Sequence, residues 1–557
     1  MYKKLFIIMT IIGIGMSSCN TEKEPEVLSD NPFFNEYTTP YGVPPFDLIK
    51  AEHYMPAFEK GMEEQKAEVE KIINNTKKPT FKNTIRALDN TGKLLTKVTT
   101  VFFGLSGANT NDDLQKIQLE VSPLLAAHGD AINLNPKLFE RVKAIYDKKD
   151  KLKLTEEEAY ILENTYKGFV RSGTLLPPDE QEIMKKLNLE QSVVGVNFGQ
   201  NVLSETNSFM LVVDNEDDLK GLPESSVVAA AKTASAAGLD GKWAFTAQKP
   251  SWIPFLQFAE NRKLREDVYA GWLLRCRTDN EYNNEDNLAK IMSLRAQKAT
   301  LLGYPTHADM VMESRMAKKA SNVFDLLDQV WEPALKAAIR DRDEMQTMID
   351  NEGGDFKLAA HDWWYYTEKL RKAKYDLDES ELRPYFKLEN VRDGAFDVAN
   401  KLYGITFEEL FDMPRPHPDV MVFEVFDTDG KHLGILYQDY YPRQSKRQGA
   451  WCGAYRGHKW EKRKEIHPVV TMVCNFTPPS GDSPALISTE EASTLFHEFG
   501  HALDVLFAEN TLSASYRARD FVELPSQIME HWAAEPEVMK TYALHYETNE
   551  PIPDYLI

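Results

Sequence analysis

The sequence predicts a mainly α-helical protein with one small β-sheet. Apolar residues recur at helical spacing along most of its length. Capping boxes open two of the periodic stretches. Strand-forming residues concentrate in a single region, from about residue 420 to 476. A chain of 557 residues is long enough to bury one large core or several smaller ones.

The elements follow in chain order. Residues 53–74 carry Phe58, Met62, Val69, Ile72 and Ile73 close to helical spacing, and Pro56 suits a first helical turn. Thr155 with Glu158 three residues later is a capping box that opens another helix. Leu288, Ile291 and Leu294 set a third stripe, which Gly303 and Pro305 should stop. Residues 420–426, a turn at Asp429-Gly430, and residues 433–437 read as a β-hairpin, with residues 467–476 as a further strand. This hairpin is either a structural insert between helices or an exposed edge that pairs with an extended peptide.

The chemistry is concentrated just beyond the sheet. Ser488 and Glu491 form a capping box, and Ala492, Leu495, Phe496, Phe499, Ala502, Leu503 and Leu506 follow at helical spacing. His497 and His501 therefore share one face of an amphipathic helix, as H-E-x-x-H requires. Two neutral imidazoles on one face can hold a zinc ion, and Glu498 can take a proton from a water bound there. Catalytic zinc takes three protein ligands and an open position. A second helix is expected near Pro525, with Glu523, Gln527 and Glu530 on one face. Glu523 is then the candidate third ligand. Glu530 and Asp504 are each either a hydrogen-bond partner for a ligand imidazole or a surface carboxylate. Gly500 weakens its helix by about 1 kcal/mol relative to Ala, and its missing side chain leaves room for another backbone.

The bulk composition excludes other classes. There are 65 Lys plus Arg against 86 Asp plus Glu, a formal charge of −21, and no basic stripe for nucleic acid. Residues 1–18 read as a signal peptide: Lys3 and Lys4 precede an apolar run too short to span a membrane, and Ser17 and Ser18 lead into Cys19. Small residues followed at once by Cys resemble the lipobox of bacterial lipoproteins, although Met16 is unusual at its first position. The alternative is a plain secretory signal. Residues 19–32 then form a polar tether, residues 33–250 an N-terminal helical region and residues 251–557 a catalytic region. Cys276, Cys452 and Cys474 read as buried apolar cysteines rather than a disulfide framework.

The segments 495–503, 520–523 and 525–527 resemble the thimet oligopeptidase family of zinc peptidases. Residues 52–58, 248–252, 260–262 with 264–265, and Arg443 through Lys446-Arg447 to Gly449-Ala450-Trp451 are similar to its bacterial peptidyl-dipeptidase branch. The resemblance implies two helical lobes flanking a deep substrate channel, with the small sheet near the zinc site. It implies one Zn2+ held by His497, His501 and Glu523, with Glu498 as general base. It also implies oligopeptide substrates and release of C-terminal dipeptides, while close relatives cut internal bonds. A monomer, lipid-anchored through Cys19 and facing the periplasm or the outer surface of a bacterial cell envelope, is expected.

The chain departs from the family in three places. Asp504 stands where the family commonly has a third His. The loop between His501 and Glu523 is shorter. Family members also continue past this C-terminus into a helical region whose Gly- and Tyr-rich loop holds substrate, and nothing in residues 524–557 matches it. A C-terminally truncated peptidase is therefore expected, and with it an alternative function: a lipid-anchored zinc- or peptide-binding protein without turnover.

Overall fold

The computed structural model describes residues 29–375, 379–461, 463–512 and 517–557. The expected signal peptide and Cys19 lie outside the described residues. Helices dominate, as expected. The first expected helix runs over Tyr54–Ile73 and buries Phe58, Val69 and Ile72. Thr155 opens Glu156–Ser172 through a reciprocal capping box with Glu158. The third stripe forms Glu285–Leu301, and Gly303 beyond it takes the left-handed backbone that ends the helix. Only part of that stripe is core, because Leu294 is buried while Leu288 is exposed.

Nine strands form. β1 (Met210–Val213) and β2 (Trp243–Thr246) make an antiparallel ribbon that periodicity missed. β3 (Thr406–Glu409), β4 (Met421–Phe426), β5 (His432–Asp439) and β6 (Trp451–Arg456) come next. β7 (Lys459–Glu461) and β8 (Lys464–Ile466) form a second ribbon, and β9 (Val469–Val473) follows. The main sheet has the order β3-β4-β5-β9-β6. The expected hairpin is β4–β5, and the further strand is β9, which pairs parallel to β5. β6 pairs antiparallel with β9, and among the described residues no strand pairs with its other edge.

The sheet is covered on both faces. On one side Val422, Ile435, Tyr437 and Val469 pack with Phe58, Val98 and Phe102 from N-terminal helices. On the other, Val425, Leu436, Val470 and Met472 pack with Leu495, Phe496, Phe499 and Leu503 of the helix Thr489–Leu506. Each large apolar side chain buried there contributes about 1.5–3 kcal/mol. This packing holds the helix that carries the H-E-x-x-H motif against the sheet.

The loop 440–450 between β5 and β6 ties distant segments together. Arg443 donates to Ala108 O, Thr110 N donates to Ser445 O, and Asn207 Nδ2 donates to Gln444 O. Gln448 donates to Ala247 O and accepts from Arg275. Lys446, fully buried, donates to Asp439 Oδ1 and to the carbonyls of Tyr441 and Cys474. Arg443 also pairs with Asp439, so one carboxylate serves two cations.

Candidate metal centre

The motif helix begins as expected. Ser488 Oγ accepts from Glu491 N while the buried Glu491 carboxylate accepts from Ser488 N. That carboxylate also accepts from Thr477 N, which fastens the helix N-terminus to the segment after β9. His497 and His501, one helical turn apart, lie with ring centroids 4.9 Å apart and rings nearly perpendicular.

The second helix runs over Glu523–Ala534, and Glu523 is its first residue. Its approach depends on Gly500. A Cβ at that position would lie 2.6 Å from Pro525 O and 2.7 Å from Ser526 Cα, so the two helices touch backbone to backbone, as the bare position anticipated. At this contact Glu523 Oε2 lies 3.3 Å from His497 Nε2 and 3.1 Å from His501 Nε2. The three donor atoms fall within 4.8 Å of one another, and no other His, Cys, Asp and Glu cluster of this kind occurs among the described residues. Tetrahedral ligands about 2.0–2.1 Å from a zinc ion stand roughly 3.3 Å apart. The donor set and its spacing therefore fit a zinc ion.

Glu530 hydrogen-bonds His497 Nδ1 at 2.5 Å, which leaves Nε2 of that ring for the cluster. Asp504 behaves differently. It pairs with Arg517, whose guanidinium also donates to Asp504 O, and its charge acts on His501 only from a distance. The alternative of Asp504 as a direct imidazole partner finds no hydrogen bond among the described residues. Ser526, fully buried, donates to Glu523 O at 2.8 Å and lies 3.1 Å from Glu523 Oε2. Asp520 accepts from the backbone N–H groups of Met316 and Ala317 at 2.9 and 3.0 Å. Sequence reasoning assigned no role to Ser526, Arg517 or β6, whose partners lie elsewhere in the fold. The only local signal was Ser526 standing three residues after Glu523, one helical turn away.

Glu498 is 4% exposed, and its Oε2 is buried without a protein partner. Burial pushes its carboxyl up to about 7, opposed by the nearby His497 and reinforced by the negative charge of Glu523. A carboxylate near neutrality beside the donor cluster is suited to take and return a proton. Burial lowers His501 despite Glu523, which favours the neutral imidazole that a metal needs. Cys276 and Cys474 are buried and Cys452 half-buried, and all three thiols are free. Burial raises each above the usual thiol range, so none is an activated nucleophile.

Comparison with known proteins agrees with this geometry. Residues 255–557 match the model of "Peptidase family M3". The chain is 39% identical to the dipeptidyl carboxypeptidase of Escherichia coli (strain K12), over 94% of this chain and 78% of that protein. It is 37% identical to the Salmonella typhimurium dipeptidyl carboxypeptidase over the same shares. Oligopeptidase A of Haemophilus influenzae is 31% identical, over 92% of this chain and 76% of its own length. A family model that spans the motif, and relatives alike along nearly the whole chain, place this protein in peptidase family M3, a family of metallopeptidases.

Proposed function

We propose that the chain is a zinc peptidase that releases dipeptides from the C-termini of short peptides. The observation that carries this is the convergence of His497, His501 and Glu523 around one point, with the buried Glu498 beside it. The dipeptidyl carboxypeptidase relatives supply the product class. Zinc, when bound, acts as a Lewis acid toward the scissile carbonyl and lowers the pKa of water toward ~7. Glu498 takes the proton of the attacking water and returns it to the leaving amine. Glu530 fixes the tautomer of His497, and Ser526 orients the Glu523 carboxylate. Among the described residues no strand pairs with the outer edge of β6, which suits that edge to an extended peptide backbone.

The oligopeptidase A relatives favour a second reading, cleavage of internal bonds. Peptides with a free C-terminal carboxylate and with a blocked one separate the two. Dipeptides released only from the free acid support the first reading, and cleavage of both supports the second. Zinc bound with neither peptide cut sinks both and leaves a binding protein. The N-terminal sequence further supports a lipoprotein of the bacterial cell envelope, anchored through Cys19. Palmitate labelling of the wild type that persists in Cys19→Ala would refute the anchor.

A further inference from the structure

The three metal donors are not held equally. His497 and His501 lie inside a helix that is capped at Ser488 and packed on the sheet. Glu523 is the first residue of its helix, and Val522 before it supplies no side-chain cap. Uncapped helix ends fray. The Glu523 side chain is 52% exposed, against 24% and 15% for His497 and His501, so its surroundings confine it least. The contact at Gly500 places the body of the helix, and its first residue depends on the segment that leads to it.

That segment, residues 507–522, is tied to parts of the chain far away in sequence. Asn510 N donates to Nδ1 of the buried His458 at 3.0 Å. Thr511 N and Leu512 N both donate to Glu157 Oε1, at 2.8 and 3.0 Å, and the Thr511 hydroxyl donates to Glu157 Oε2. The Leu512 side chain, 3% exposed, enters a core with Leu138, Phe139, Val142 and Leu162. Among the described residues, every other member of that core falls between residues 69 and 170. Closer to the ligand, Asp520 accepts from Met316 N on Oδ1 and from Ala317 N on Oδ2. These two amides stand just before the helix Ala320–Asn351. From Asp520 to Glu523 the chain spans about 10 Å at most, so little slack separates this anchor from the ligand.

We propose that residues 507–522 are a strap in which Leu512, Glu157 and Asp520 are positioning residues for the third metal ligand. The N-terminal helical core of residues 69–170 then contributes to zinc affinity, although none of its residues is in the donor set. The proposal rests on the reading of Glu523 as a zinc ligand. Its chemistry dictates a pattern among conservative variants. Glu157 receives both backbone N–H groups on one oxygen, which the amide of Gln also provides. Asp520 divides its two between both oxygens, and Asn keeps only one acceptor.

The test measures the zinc dissociation constant of the full chain by competition with a chromophoric chelator. The visible spectrum of the cobalt-substituted chain reports donor geometry, at a temperature where circular dichroism shows each variant folded. Leu512→Ala, Glu157→Ala and Asp520→Ala should each weaken zinc about tenfold and alter the cobalt spectrum. Glu157→Gln should bind as the wild type does, and Asp520→Asn should lie between wild type and Asp520→Ala. Val142→Ala opens the same core away from the strap; it should lower the melting temperature and leave both metal readouts unchanged. Wild-type zinc affinity in Leu512→Ala and Asp520→Ala overturns the strap. So does a loss in Val142→Ala as large as that in Leu512→Ala. Should Leu512→Ala fail to fold, the contrast of Glu157→Ala with Glu157→Gln, neither of which empties the core, decides. Glu523→Ala separates the two readings. If it binds zinc like the wild type, the ligand assignment falls and the strap with it. If it loses zinc while the anchor variants keep it, the strap alone falls.

Discussion

Gly500→Ala sets two effects of known sign against each other. Replacing a mid-helix Gly by Ala favours the helix by about 1 kcal/mol. The new Cβ, however, stands 2.7 Å from Ser526 Cα and 2.6 Å from Pro525 O. Carbon atoms pack at about 3.5 Å, so the helix Glu523–Ala534 must retreat by roughly 0.8 Å. Both clashing atoms are backbone and cannot rotate away. Overpacking of this kind costs about 1–3 kcal/mol, which at its middle exceeds the helix gain and leaves a net loss of about 1 kcal/mol. The larger effect falls on the metal. Glu523 Oε2 sits 3.1 and 3.3 Å from the two imidazole nitrogens, and ligand distances tolerate only about 0.2 Å. We expect the zinc dissociation constant, measured by competition with a chromophoric chelator, to rise at least about tenfold, a loss of ~1.4 kcal/mol. The metal-free melting temperature should fall as well. Unchanged zinc affinity together with a raised melting temperature would refute the argument, because it would show that the helices separate without disturbing the ligands.

Other outcomes follow from the same geometry. Glu498→Gln should keep zinc and lose hydrolysis by ~10²–10⁴-fold; wild-type turnover in that variant would remove Glu498 as the base. Glu530→Ala should weaken zinc binding about tenfold, the low end for such partners because the Glu530 side chain is 39% exposed, and chelator competition reads it. Glu498 also carries a pH dependence in the metal-free chain. Its folded pKa is raised from 4.5 to about 7, so its contribution to stability is full below 4.5 and is lost as pH rises through about 7. The loss is at most about 3 kcal/mol, and denaturant titrations across this window should show it in the wild type and not in Glu498→Gln. Lys446→Met should destabilise by about 3 kcal/mol, the low end for breaking a buried pair, since Arg443 still serves Asp439. A denaturant midpoint at the wild-type value would show that the buried ammonium contributes nothing.

What the sequence made legible was local. The capping boxes at Thr155 and Ser488, the spacing of His497 and His501, and the bare Gly500 each state a requirement within one helix, and each is met. Glu530 was legible as one of two alternatives, because its helix periodicity placed it on the face of Glu523. Asp504 looked equivalent by the same periodicity, yet Arg517 engages it from across a loop. β6 was illegible for a different reason: Trp451-Cys452-Gly453-Ala454-Tyr455-Arg456 has no β-branched residue, and its strand character comes from pairing with β9. β1 and β2 are too short at four residues each for alternation to register.

The loop 440–450 reads as an ordinary polar connection, the sort of segment a protease finds first. Its hydrogen bonds reach residues from Gly107 to Arg275 on one side and Cys474 and Asn475 on the other. To open it is to release the N-terminal helices and the sheet at once. The mechanical consequence is cooperativity: the regions before and after residue 250 should melt in one calorimetric transition. Limited proteolysis should spare this loop until that transition begins.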